Sequence, residues 1–151
     1  MIKLIILLFF PLGGYANCWQ HAASIYGIEP ELLYAIAQQE SGLKPYVIGK
    51  NKNGSKDLGV MQINSSHLPR LKELGVNEKQ LVEDPCLSVV VGASILSDMM
   101  KIYGYSWEAV GAYNAGISEK RKVARMHYAE KVWSHYKKIK EEKLIDELDV
   151  E

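Results

Sequence analysis

Apolar residues recur at spacings of three and four along most of the chain, and the breaks between these runs fall at Gly, Pro and Asn. Cys18 to Tyr26 reads as a short helix ended by Gly27. Pro30, at a first helical turn, leads Glu31 to Glu40, which Gly42 and Pro45 close. Helical spacing resumes over Ser66 to Leu74 and Glu78 to Glu83. Asp84 as N-cap and Pro85 then open Cys86 to Tyr103, apolar almost all round, which predicts the central core helix. Ser106 caps Trp107 to Tyr113, Asn114-Ala115-Gly116 ends that piece, and Ser118 starts a last helix running to about Lys140. In this helix Met126, Ala129, Val132, Trp133 and Tyr136 are expected to face inward. Eight Lys/Arg against two Glu between Glu119 and Lys140 give it a basic outer face, either a solvated surface or an attraction for an anionic polymer.

Tyr46 to Asn64 breaks the helical period. Gly49, Asn53-Gly54 and Gly59 separate short β-branched runs, as in a loop or small hairpin. Val60, Gln62 and Asn64 alternate with Met61 and Ile63, so one face of this stretch is expected to pack while the other offers two carboxamides. The expected fold is therefore all-α or α+β.

The two ends change the picture. Met1 to Ala16 carries one positive charge, Lys3, an apolar run from Leu4 to Phe10 and a small-residue end, the pattern of a cleaved secretory signal peptide that leaves Asn17 first. That run is shorter than the ~20 apolar residues of a membrane span and no later segment reads as one, so a periplasmic protein without stable membrane insertion is expected. Residues 141–151 hold six acids and one lysine, expected as a frayed or disordered acidic tail that leaves a single domain over 17–140. Over all 151 residues, 18 Lys+Arg balance 18 Asp+Glu, which argues against nucleic acid as a partner.

Export also governs the two cysteines. In an oxidising compartment Cys18 and Cys86 can form one bridge, the alternative being two buried thiols. His21, His67, His127 and His135 show no paired ligand spacing and no glycine-rich phosphate loop is present, so neither metal nor cofactor is expected.

Glu40 carries the chemistry. It lies four positions beyond Ile36 and seven beyond Leu33, on the stripe its helix should bury. Desolvation and the negative helix end both disfavour its anion, which suits a general acid near neutral pH. The plain alternative is a glutamate at a fraying helix end. Asp57 is a second carboxylate; it either stabilises the turn beside Asn53-Gly54 or faces the cleft with Gln62, from which a strict strand would point it away, so that the chain must bend, as Gly59 allows.

Three segments then carry a resemblance. Glu40-Ser41, Gly59-Val60-Met61-Gln62 and Ala112-Tyr113-Asn114-Ala115-Gly116 resemble, in order, the motifs of the SLT-type lytic transglycosylases, which have a lysozyme-like fold. The likeness runs from about Cys18 to Tyr136 and is nearest the small exported group that accompanies type III secretion systems, the IagB/IpgF-like proteins. Gly54-Ser55-Lys56-Asp57 and Gln62-Ile63-Asn64-Ser65 also resemble C-type lysozymes, with Asp57 where those keep a catalytic aspartate.

The resemblance implies scission of the β-1,4 bond between N-acetylmuramic acid and N-acetylglucosamine in peptidoglycan, with 1,6-anhydromuramic ends. Glu40 would be acid and then base, and Asp57 would stabilise charge. Ser41, Gln62, Asn64, Tyr113 and Asn114 would attend the substrate, with Tyr128 either among them or a core residue. A secretion-system rod or needle-complex subunit is the implied partner. Two alternatives stay open: a hydrolytic muramidase using Glu40 and Asp57, and a non-catalytic peptidoglycan-binding assembly protein.

Overall fold

A computed structural model of the chain describes residues 14–148, with side chains over 17–146. The expected signal peptide lies outside the described residues except for its last three, which open the first helix. In chain order the elements are α1 (Gly14–Tyr26), α2 (Pro30–Ser41), β1 (Ile48–Lys50), β2 (Lys56–Leu58), β3 (Ile63–Asn64), α3 (Leu68–Glu73), α4 (Glu78–Glu83), α5 (Pro85–Tyr103), α6 (Trp107–Ala115) and α7 (Lys122–Leu148). Single 3₁₀ turns at Ser65–His67 and Glu119–Arg121 precede α3 and α7.

The helix boundaries follow the local chemistry. Asp84 accepts a hydrogen bond from the Leu87 amide at 3.1 Å and Pro85 fills the first turn of α5, satisfying donors a helix start leaves open. Gly42 takes φ 60° after α2, and its amide returns to the Gln38 carbonyl at 3.0 Å. The core gathers Leu33 and Ile36 from α2, Val89 and Leu96 from α5, Val110 from α6 and Val132 from α7, with Leu58, Met61 and Ile63 from the sheet side. Cys18 and Cys86 are joined, their Cα atoms 5.2 Å apart, which ties α1 to the first turn of α5.

Several expectations need correction. By length and composition α5 could cross a membrane, against the expectation that no later segment reads as a span. Its place is interior: it packs on α1, α4 and α6 and buries Val89, Val91, Ala93 and Leu96. On α7 the buried stripe is rotated from the expected one. Ala129 and Val132 are inside, joined by Arg125 and Tyr128, while Met126 and Trp133 stand exposed. Nor does α7 end near Lys140. Glu, Lys and Leu without Gly or Pro keep it helical to Leu148, and Lys143 Nζ meets Glu31 Oε1 of α2 at 2.7 Å.

The non-helical segment is a three-stranded antiparallel sheet in the order β1-β2-β3, with Asp57 opposite both Gly49 and Asn64. The strand expected from Val60 to Asn64 is shorter. Only Ile63 and Asn64 are extended, because Gly59 (φ 73°) and Gln62 (φ 52°) fold the intervening residues into a turn closed by Gln62 N–H to Gly59 O at 3.0 Å. Val60 and Met61 are thus both buried instead of alternating. Gly59 is required twice over: its φ is left-handed, and a Cβ there would stand 2.3 Å from the Leu81 carbonyl oxygen.

Candidate active site

The sheet, the end of α2, the end of α6 and the turn before α7 enclose an open cleft of about 1010 Å³. Glu40, Asp57, Gln62, Asn64, Tyr113 and Asn114 all line it, so six of the eight side chains singled out from sequence converge. The bend at Gly59 is what lets Asp57 and Gln62 share it.

Glu40 sits in the last turn of α2, mostly withdrawn from solvent. Tyr128, buried in α7, donates its hydroxyl to Glu40 Oε1 at 2.5 Å. Burial raises the Glu40 pKa, the Tyr128 bond opposes that, the Asp57 charge raises it further, and a hydrogen bond with Asn114 pulls back; the result is about 7. Desolvation and the nearby Glu40 in turn hold the Tyr128 hydroxyl far above its ordinary value, so it stays a donor. Tyr113 is likewise raised and donates to the Met61 carbonyl at 2.7 Å, which fastens α6 to the Gly59–Gln62 turn.

Asp57 is held differently. Asn51 Nδ2 donates to one carboxylate oxygen at 2.9 Å and Asn64 Nδ2 to the other at 2.9 Å. Asn64 is itself held by its Oδ1, which accepts the Ser66 amide at 3.0 Å. Its amide group therefore orients Asp57 and caps a turn, which revises the expectation of a carboxamide offered outward. Gln62 is also partly committed, its Nε2 donating to Gly59 O at 2.9 Å and Val47 O at 3.2 Å.

Ser41 and Tyr128 are not among the lining residues. The Ser41 hydroxyl donates to Val60 O at 2.7 Å, joining the end of α2 to the same turn, so it supports the site from behind. Tyr128 reconciles its two readings, being a core residue whose hydroxyl reaches Glu40.

Sequence reasoning missed three supports. Asn51 carried no signal beyond its nearness to Asn53-Gly54. Ser88, buried in α5, accepts the Met61 amide at 3.3 Å. Arg125, counted with the basic outer face, is 1% exposed and pairs with Glu108 at 3.0 Å while donating to Gly116 O and Ser118 O. Among the described residues no cluster of His, Cys, Asp or Glu could hold a metal ion.

Residues 17–136 match the family model of the transglycosylase SLT domain. The chain belongs to this family. As an SLT transglycosylase it is 65% identical over 127 residues to the invasion protein IagB of Salmonella typhimurium, covering 84% of this chain and 79% of that protein. It is 49% identical over 135 residues to protein IpgF of Shigella sonnei, covering 89% of each. Its fold is similar to that of an inactive variant of the lytic transglycosylase Slt from Pseudomonas aeruginosa, with a TM-score of 0.62 at 19% identity. That match covers 84% of this chain and 24% of the longer protein. The lysozyme-like fold and the lytic transglycosylase assignment expected from the three motifs therefore hold.

Proposed function

We propose that this lytic transglycosylase cuts the β-1,4 bond between N-acetylmuramic acid and N-acetylglucosamine of peptidoglycan and leaves a 1,6-anhydromuramic end. The observation that carries the reading is Glu40, its pKa near 7, on an open cleft with Asp57 on the facing wall. Protonated Glu40 gives its proton to the glycosidic oxygen as the bond from muramic C1 to that oxygen breaks. The Glu40 carboxylate then takes the proton of the C6 hydroxyl, and O6 closes on C1. Glu40 ends protonated again and no water is consumed. The nucleophile belongs to the substrate, so positioning replaces activation of a water. Asp57, kept in place by Asn51 and Asn64, lends negative charge to the oxocarbenium-like transition state.

We infer the setting from the leader-like pattern of residues 1–16, and the names of the relatives support it. The chain is exported by residues 1–16, acts in the periplasm, and opens the wall locally for a type III secretion system, with a rod or needle-complex subunit as its partner.

Asp57 also supports a second reading, hydrolysis through an Asp57-assisted water, as in a muramidase. Mass spectrometry of the released muropeptides separates the two. Ends lighter by one water than reducing muramic acid are expected; reducing ends alone would establish the hydrolase, and no release of fragments would leave a wall-binding protein.

A further inference from the structure

The floor of the cleft is acidic, yet two side chains of opposite sign reach its walls: Lys52 in the β1–β2 turn and Arg121 in the turn before α7. Lys52 stands on an exposed turn tip. Arg121 belongs to a braced wall. Its Nε donates to Ala115 O at 3.5 Å, and buried Arg125 holds the same stretch of chain through Gly116 O at 3.3 Å and Ser118 O at 2.7 Å. With Nε turned onto Ala115, the two terminal nitrogens of Arg121 form an exposed fork that can take a carboxylate with two parallel hydrogen bonds. Ile117 in the same wall is 54% exposed and gives an apolar contact beside that fork.

A guanidinium fork can donate to sugar hydroxyls, but its two parallel N–H groups and its charge match a carboxylate better than any group of an uncharged glycan. Peptidoglycan differs in this respect, because the lactyl group of each muramic residue carries a peptide stem with carboxylates and alanine methyl groups. We propose that Arg121 is a specificity-determining residue that binds a stem carboxylate, with Ile117 against the adjoining methyl groups, so that stem-bearing strands are the preferred substrate. This rests on the peptidoglycan reading above.

The test compares purified glycan strands in three forms: stems intact, stems with amidated carboxylates, and stems removed by an amidase with the freed lactyl carboxylates then amidated. The wild type is expected to cut intact strands with a kcat/KM about tenfold above the other two forms. Arg121→Gln should lose that advantage through KM on intact strands, with kcat held and less than about twofold change on stripped strands. Arg121→Lys should fall between, keeping charge without the fork. Lys52→Gln should shift all three substrates by less than about twofold. Equal wild-type rates on all three forms, or equal losses for Arg121→Gln on intact and stripped strands, would overturn the proposal. So would matching losses for Arg121→Gln and Lys52→Gln, which would mean diffuse attraction by any cation on the walls. Failure of the wild type to cut any of the three strands would instead remove the peptidoglycan reading.

Discussion

Glu40 and Asp57 face one cleft from surroundings built on opposite lines. Glu40 ends a helix against the core and has a phenol from below and one carboxamide beside it, with burial as the largest influence on its proton. Asp57 lies in the middle of a three-residue strand, and each of its oxygens has an amide N–H in contact. One environment keeps a carboxyl able to give a proton near neutral pH; the other supplies donors that suit an anion. The lesson is that two chemically similar side chains are given different surroundings by what the chain packs around them, and the proposed roles of acid and charge stabiliser follow that difference.

That division can be broken from either side. Glu40→Gln removes the proton donor, and turnover on peptidoglycan should fall about 10³-fold or more, measured by release of soluble muropeptides. The same change should stabilise the fold. Glu40 keeps its proton up to about pH 7 in the folded chain but loses it near 4.5 in the unfolded one, so its contribution to stability is full below about 4.5 and lost as the pH rises to 7. At pH 8 the Gln variant should therefore be more stable by up to about 3 kcal/mol, a gain that vanishes below pH 4.5 in thermal melts repeated across pH. A difference in stability between the two proteins that is the same at both ends would contradict the buried acid.

Asp57→Asn keeps the size, removes the charge and gives up one of the two accepted hydrogen bonds, and turnover should drop by about 10². Because the Asp57 charge is one of the forces raising Glu40, the alkaline limb of the kcat/KM profile should also move to lower pH. A profile that stays in place would show that the two carboxyls do not sense each other.

Tyr128→Phe pushes the limb the other way. Its hydroxyl stabilises the Glu40 anion, so without it Glu40 should hold its proton to higher pH, with turnover reduced about tenfold as the carboxyl loses its orientation. Opposite shifts for these two variants, measured on one substrate, make the sharpest form of the comparison.

Asn51→Ala should have the smallest effect. One of two donors to Asp57 is lost, and kcat should fall about threefold with the position of the alkaline limb unchanged.

Much of this arrangement was legible before the fold was known, and the reasons are local. Pro30, Gly42, Asp84 and Gly104 mark helix ends through backbone chemistry that needs no distant partner. Glu40 announced itself by sharing a stripe with Leu33 and Ile36. What escaped depends on residues far apart in the chain. The alternation from Val60 to Asn64 imitates a strand, but the turn there is decided by Leu81 and Ser88, which leave room for nothing larger than Gly59, and by the Ser88 hydroxyl, which accepts the Met61 amide. Arg125 looked like one more solvated cation until Glu108, 17 positions earlier, drew it inside. Ser41 and Asn64 were expected to attend the substrate, but their hydrogen bonds to Val60 O and to Asp57 have no signature in a linear pattern.

The link between Cys18 and Cys86 spans 68 positions, and both acids, the whole sheet and α2 fall inside that span. On the chain-entropy account such a tether is worth about 4 kcal/mol, a large fraction of what holds a small domain together. The tether therefore acts on the stretch that bears both carboxyls, and a copy with its two thiols kept reduced should be the less durable form.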